Sequence, residues 1–113
     1  MLLFKPEHIK LIQQGIKTQT RRIWEKPRCK PGSIHKAKTK MLSKDYYVEL
    51  FIVDVHKEFL LDISDKDAWC EGGYTKKEFF KKWDNINPKY PSVTNPQVYV
   101  VTFNPVIKSF RRI

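Results

Sequence analysis

The order of apolar and polar residues along this 113-residue chain predicts several short strands separated by short helices. The strongest strand signal covers residues 46–56, where β-branched and aromatic residues are frequent and apolar side chains fall on both faces. A strand that is apolar on both faces belongs inside a sheet rather than at its edge. We therefore expect this strand to be central, with five apolar side chains largely buried: Val48, Leu50, Phe51, Ile52 and Val53.

Weaker strand signals occur towards both ends of the chain. Residues 2–4 are apolar, residues 98–103 alternate between the two faces of a strand, and residues 106–110 can add another strand after Pro105. Residues 33–41 also alternate, with a lysine at every second position. This segment is predicted to be a strand with a stripe of lysines, namely Lys36, Lys38 and Lys40.

The first helix is predicted to begin at Pro6, because the first turn of a helix does not use the N–H that proline lacks. Gly15 is placed to end this helix in the left-handed conformation. Residues 17–22 are therefore expected to form a loop at the C-terminal end of the helix.

Two later helices have clear N-terminal signals. Ser64 can cap a helix over residues 65–71, which a Gly-Gly pair then ends. Thr75, with Glu78 three residues later, forms the capping box of a second helix. Strands mixed with short helices, without a regular βαβ repeat, indicate an α+β domain built on a curved sheet or barrel.

The composition fits one globular domain over residues 1–113, since 41% of the residues are hydrophobic and 30% are charged. No apolar run approaches the ~18 residues that span a bilayer, and the N-terminus does not resemble a signal peptide. We expect a cytoplasmic protein that makes no contact with a membrane. Cys29 and Cys70 are expected to be free thiols, although they could form one pair. The histidines stand alone along the sequence, so no metal site and no cofactor are predicted.

Positive charge is concentrated in one part of the chain. Residues 17–44 hold ten Lys or Arg residues and a single acid, Glu25, so this segment carries nine of the ten net positive charges. Such a local field suits a polyanion, and nucleic acid is the commonest polyanion in cells. A solvated basic face kept for solubility is the alternative. Hydroxyls, an amide and a glycine lie between the bases, and this mixture of donors favours a specific site.

Several short motifs occur in an order that covers nearly the whole chain. They are Gly15-x-Lys17-Thr18-x-Thr20-x-Arg22, Lys30-Pro31-Gly32, Leu61-Asp62-Ile63-Ser64, Ala68-x-x-Glu71-Gly72, Phe79-x-x-x-Trp83 and Val98-Tyr99-Val100-Val101-x-Phe103. In this order they resemble the ASCH domain family, small proteins with a PUA-like β-barrel and short flanking helices. The resemblance implies an RNA-binding protein, and one bacterial branch of the family resembles an amidohydrolase that removes the acetyl group of N4-acetylcytidine.

In the enzyme branch, the resemblance places the catalytic residues at Lys17, Thr20 and Glu71. A lysine with a lowered pKa would activate the threonine hydroxyl, and the glutamate would pass a proton to the leaving amine. The Lys17 amine is then expected within hydrogen-bond reach of the Thr20 hydroxyl, directly or through one water. Arg21 departs from the enzyme branch, where this position is apolar, and makes the site better suited to phosphate.

Our leading hypothesis is binding of RNA or of a modified nucleotide, with deacetylation of N4-acetylcytidine as one alternative and binding of an acidic protein as another. The candidate ligand-binding residues are Lys17, Thr18, Arg21, Arg22, Trp24, Lys36, Lys38 and Lys40. Structural roles stay open for several of them. The threonines can satisfy loop backbone groups, Glu71 can pair with an arginine, and Trp24 can anchor its loop by packing.

Overall fold

The computed structural model describes residues 1–42 and 47–106. These residues form an α+β domain with five strands, three α-helices and two short 3₁₀ turns. The elements in chain order are β1 (Leu2–Leu3), α1 (Pro6–Gln13), β2 (Gln19–Arg22), β3 (Ile34–Lys38), β4 (Val48–Phe59), a 3₁₀ turn (Leu60–Asp62), α2 (Asp65–Gly72), α3 (Lys76–Ile86), a 3₁₀ turn (Ser92–Thr94) and β5 (Gln97–Pro105).

The five strands form one mixed sheet in the order β1-β3-β4-β5-β2. Strands β1 and β3 are parallel, and the other neighbours are antiparallel. The long pair β4 and β5 makes the centre of the sheet, and its register shifts between Ile52 and Asp54. A bulge of this kind bends a strand and increases its twist. The sheet curls into a half-barrel, and β1 and β2 are its two free edges.

The core consists of two clusters on opposite sides of the sheet. Residues of α1 and the inner face of the sheet form the first cluster, and residues of α2, α3 and β5 form the second. Val100 and Val101 are consecutive on β5 and both fully buried, the former in the second cluster and the latter in the first. Strand β5 is therefore covered on both faces, and β2 pairs with it at the edge.

The two predicted helix starts are confirmed. The Ser64 hydroxyl accepts a hydrogen bond from the amide of Asp67 (3.0 Å), and Gly73 ends α2 in the left-handed conformation. Thr75 and Glu78 form both hydrogen bonds of a capping box at the start of α3. These caps depend on residues only three positions apart, which is why the sequence alone locates them.

The central position of β4 is confirmed, but burial on both faces is wrong. Leu50 and Ile52 are fully buried and Val48 is half-buried, whereas Phe51 is 42% exposed and Val53 is 45% exposed. Helices α2 and α3 pack with β5 and the residues after β4, so the outer face of β4 near Phe51 is left uncovered. Residue 46, the first of the predicted strand, lies outside the described residues.

Residues 19–22, expected within a loop, form the strand β2. They pair with β5 in a register that places Thr20 opposite Val101 and Arg22 opposite Tyr99. No apolar alternation marks this segment, because its buried residues, Gln19, Thr20 and Arg21, are polar and have hydrogen-bond partners inside the protein. Of the strand predicted at residues 106–110, residues 107–110 lie outside the described residues, and Val106 follows the end of β5.

Two further expectations concern cysteines and membranes. Cys29 and Cys70 are free thiols, and Cys29 is buried in the first core cluster. Among the described helices, none combines the length and apolar character needed to cross a bilayer.

Candidate functional site

The open side of the half-barrel holds a cavity of about 520 Å³ between the two free edges of the sheet. Residues of β1 line one wall, residues of β2 line the opposite wall, and residues of α2 and α3 complete the enclosure. Three consecutive residues of β2, Thr20, Arg21 and Arg22, all line the cavity. Because successive side chains of a strand point to opposite faces, this fits a cavity that runs along the edge of the strand.

Arg22 connects the two free edges of the sheet. Its Nη2 donates to the carbonyl of Leu3 in β1 (2.7 Å), and its Nε donates to the hydroxyl oxygen of Thr20 (2.9 Å). The guanidinium carbon lies 4.8 Å from the centre of the Phe4 ring. A guanidinium has five N–H groups, so three remain for a ligand. Burial lowers the pKa of Arg22 below its ordinary value, although the group stays charged at neutral pH.

Lys17 and Glu71 form a buried ion pair at the base of the cavity. The Lys17 Nζ donates to Glu71 Oε1 (3.1 Å), to the Glu71 carbonyl (2.9 Å) and to the Gln19 carbonyl (2.8 Å). Glu71 lies at the C-terminal end of α2, where the helix dipole favours a cation. Burial lowers the pKa of Lys17, and the Glu71 carboxylate opposes this shift. Three acceptors around Nζ match the three N–H groups of an ammonium ion.

The Arg21 side chain lies on the other face of β2 and binds protein carboxylates. Its Nη1 donates to Glu71 Oε2 (2.9 Å), and its Nη2 contacts Glu58 Oε1 (3.3 Å) and Asp67 Oδ2 (3.4 Å). Nη1 also donates to the side-chain oxygen of Gln19 (3.0 Å), and Nε is buried without a partner. This guanidinium, which we expected at a phosphate, is committed to carboxylates that a phosphate would have to displace.

Lys17, Thr20, Arg22 and Glu71 therefore line one cavity. The expected contact between Lys17 and Thr20 takes a different form. All three Lys17 hydrogen bonds go to Glu71 and Gln19, while the Thr20 hydroxyl oxygen accepts its hydrogen bond from Arg22.

His8 and Tyr74 form a second polar pair in the cavity, and His8 was not among the site residues predicted from the sequence. The His8 Nε2 and the Tyr74 hydroxyl are 3.2 Å apart and hydrogen-bonded. Burial, followed by the nearby charge of Lys17, lowers the pKa of His8 to about 4, so the imidazole is neutral at neutral pH. The Tyr74 ring packs against Gly72, where an added Cβ would lie only 2.5 Å from it. The position of His8 on the buried face of α1, four residues before Ile12, was the available signal.

Five basic residues and one acid line the cavity. Lys17 and Arg21 are paired with carboxylates, and Lys5, Arg22 and Lys82 leave the lining positively charged. Within the described ranges, no group of three His, Cys, Asp or Glu residues could hold a metal ion.

The other candidate residues lie away from the cavity. The Thr18 amide donates to the Cys70 carbonyl (2.7 Å), and its carbonyl accepts from Phe103 (3.0 Å), so this residue joins α2 to the sheet. Trp24 packs against the first core cluster, with its ring 6.0 Å from that of Tyr99. The three lysines of the stripe lie on β3 and just after it, and they are Lys36, Lys38 and Lys40.

Solved structures with this fold include three that differ strongly from the chain in sequence. An ASCH domain from Lactobacillus crispatus JV V101 is 14% identical, with a TM-score of 0.62 over 87% of this chain and 69% of that one. Protein EF3133 from Enterococcus faecalis V583, of the family DUF984, is 13% identical, with a TM-score of 0.69 over 93% of this chain and 75% of that one. Hypothetical protein PH0355 is 16% identical, with a TM-score of 0.67 over 91% of this chain and 94% of that one. The chain has an ASCH-like fold. The predicted PUA-like α+β architecture is thereby confirmed. No known family model matches the chain, and no curated protein is detectably similar to it in sequence.

Proposed function

We propose that this ASCH-like domain binds a nucleotide, free or within RNA, in the cavity between β1 and β2, and that modified nucleotides are among its ligands. The observation that carries the proposal is Arg22. Its guanidinium is held in place by Leu3 and Thr20, lies against the ring of Phe4, and keeps three N–H groups for a ligand. A fixed, partly desolvated guanidinium is well suited to a phosphate or to a polarised carbonyl.

The size and lining of the cavity support a ligand of this class. Pockets for small ligands usually measure about 300–1,000 Å³, and this cavity holds about 520 Å³. Its wall combines aromatic rings with basic side chains, and this mixture suits a nucleobase and its phosphate. Lys5 and Lys82 can attract the phosphate, while the half-buried Tyr74 offers ring surface to the nucleobase.

The first test replaces Arg22 with Gln, which removes the charge and keeps one donor for the neighbouring groups. We expect cytidine 5′-monophosphate and its N4-acetyl derivative to bind about 10- to 100-fold more weakly, because hydrogen bonds to charged groups are worth about 1.5–3 kcal/mol. Isothermal titration calorimetry gives the two dissociation constants.

Arg28→Gln is the matched control for this test. Arg28 is exposed and lies over Trp24, 5.9 Å from its ring, so the variant loses the same charge outside the cavity. Thermal unfolding of both variants checks that they are folded. Equal losses of affinity in the two variants would show that only net charge matters and would reject the cavity as the site.

Deacetylation of N4-acetylcytidine is the second candidate, and the Thr20–Arg22 contact favours it. An N–H donor on a hydroxyl oxygen stabilises the alkoxide that forms when the proton leaves. In this scheme the neutral Lys17 amine takes the Thr20 proton as the Thr20 oxygen attacks the acetyl carbonyl. Glu71 passes that proton to the cytosine amine as the C–N bond breaks, and water then hydrolyses the acetyl ester on Thr20 and releases acetate. Lys17 would have to lose a proton before it could accept the one from Thr20, because its ammonium form already donates three hydrogen bonds.

The second test measures acetate released from N4-acetylcytidine. Thr20→Ala and Lys17→Met should abolish release while ligand binding survives better, since the lost groups act mainly in the transition state. Thr20→Ser, which keeps the hydroxyl, is the control and should retain activity. If the wild-type protein binds the nucleoside but releases no acetate, the enzymatic candidate is rejected and binding alone stands.

A further inference from the structure

The free edge of β2 carries main-chain groups whose direction follows from the pairing with β5. The Phe103 amide donates to the Thr18 carbonyl (3.0 Å), so Thr18 turns this carbonyl towards β5. Main-chain groups reverse direction from each residue of a strand to the next. Thr20 and Arg22 therefore also turn their N–H and C=O towards β5.

Gln19 and Arg21 turn their main-chain groups the other way, towards the free edge. The Lys17 Nζ contact with the Gln19 carbonyl (2.8 Å) lies on this side and agrees with that direction. Arg21 also lines the cavity. Among the described residues, its main-chain N–H and C=O have no hydrogen-bond partner on the free-edge side of β2. One donor and one acceptor of the same residue thus face the space between β1 and β2.

We propose that the main-chain N–H and C=O of Arg21 bind the Watson–Crick edge of the ligand's nucleobase. The inference rests on the proposed nucleotide binding and specifies which part of the ligand β2 recognises. Each base presents a donor beside an acceptor on this edge, as uracil does with N3–H and O4. Proteins that read unpaired nucleotides commonly hydrogen-bond this edge.

A compact planar group fits this edge better than an extended peptide. A peptide that adds to a sheet needs free groups at alternate residues along the edge. Strand β2 has only four residues, and the carbonyl of Gln19, the other residue that turns outwards, already accepts from Lys17. Arg21 alone in β2 therefore offers both a donor and an acceptor.

The edge is also held rigidly, which lowers the entropy cost of binding. The Arg21 side chain is fully buried and anchors the strand through Glu58, Asp67 and Glu71. The Arg21 side chain thus fixes the strand, and the main chain of the same residue can bind the ligand.

The experiment follows individual amides of the ¹⁵N-labelled protein by NMR. The probes are the four ribonucleoside 5′-monophosphates and, for the one that binds most tightly, its analogue methylated on the ring nitrogen of the Watson–Crick edge. In the free protein, the Arg21 amide should exchange with solvent faster than the amides of Thr20 and Arg22, which face β5. At saturation with the nucleotide, exchange at Arg21 should slow by about tenfold or more, while the two control amides change little.

The methylated analogue should bind about tenfold more weakly or worse, because it loses a hydrogen bond and crowds the edge. Binding of the nucleotide with an unchanged Arg21 amide and no effect of methylation would overturn this inference and leave the proposed function intact. A slowly exchanging Arg21 amide in the free protein would also overturn it, because the edge would then be closed. Failure of all four nucleotides to bind would overturn the proposed function and this inference together.

Discussion

Arg21 and Arg22 are adjacent in sequence and have opposite roles, because successive side chains of a strand point to opposite faces. Arg21 reaches the carboxylates of Glu58, Asp67 and Glu71, which neutralise its charge and fix the strand. Arg22 reaches Thr20 and the β1 backbone, and no carboxylate of the described residues lies within ion-pair distance of it. Its charge remains available to a ligand, so we expect Arg22 to contribute most to the affinity for the ligand.

Lys17 illustrates how much of a residue's role the sequence can predict. Lys17, Thr20 and Glu71, which the family resemblance placed together, line one cavity. The hydrogen bonds within this group depend on the path of β2 and on the C-terminal end of α2, which lies more than 50 positions away in the chain. Local sequence therefore could not show which atoms of these residues are hydrogen-bonded to each other, and their functional roles remain predictions.

Leu50 and Phe51 test the assignment of the two faces of β4. Leu50 is fully buried in the first core cluster, and Phe51 is 42% exposed on the outer face opposite Ile34. Leu50→Ala should lower the free energy of unfolding by about 2–5 kcal/mol, as deletion of a core side chain usually does. Phe51→Ala should cost less than about 1 kcal/mol, because changes at exposed positions are small. Urea denaturation measures both values, and similar losses would show that the outer face is covered.

The helices and strands differ in how far the sequence could predict them. Helices α2 and α3 begin at caps formed within three residues, so local sequence locates them. Strand β2 exists because β5, some 80 positions later, pairs with it, and its residues carry no apolar alternation. In β4, apolar residues on both faces correctly indicated a central strand, but they could not show that the helices cover only part of the outer surface.

At the scale of the whole molecule, positive charge extends from the cavity onto the neighbouring strand. Strand β3 lies beside β1, whose other edge faces the cavity, and Thr39, just after β3, lines the cavity itself. The lysine stripe of β3 therefore begins next to the proposed nucleotide site. An RNA strand with one nucleotide in the cavity has a basic path across this part of the sheet, which makes RNA a better candidate than a free nucleotide for the full surface.

This arrangement predicts how the affinity for RNA depends on salt. Replacing the stripe lysines together with Gln should weaken binding of a short oligouridylate and flatten the plot of log affinity against log salt by about 2, or 0.7 for each phosphate that a lysine no longer neutralises. The variant carries changes at Lys36, Lys38 and Lys40.

A control variant loses the same charge from the exposed face of α3, at Lys76, Lys77 and Lys81. Fluorescence anisotropy at several salt concentrations measures both slopes. The control should keep the wild-type slope, since α3 turns only its other face towards the cavity. Equal slopes for all three proteins would mean that the lysine stripe does not touch the RNA phosphates and that binding is confined to the cavity.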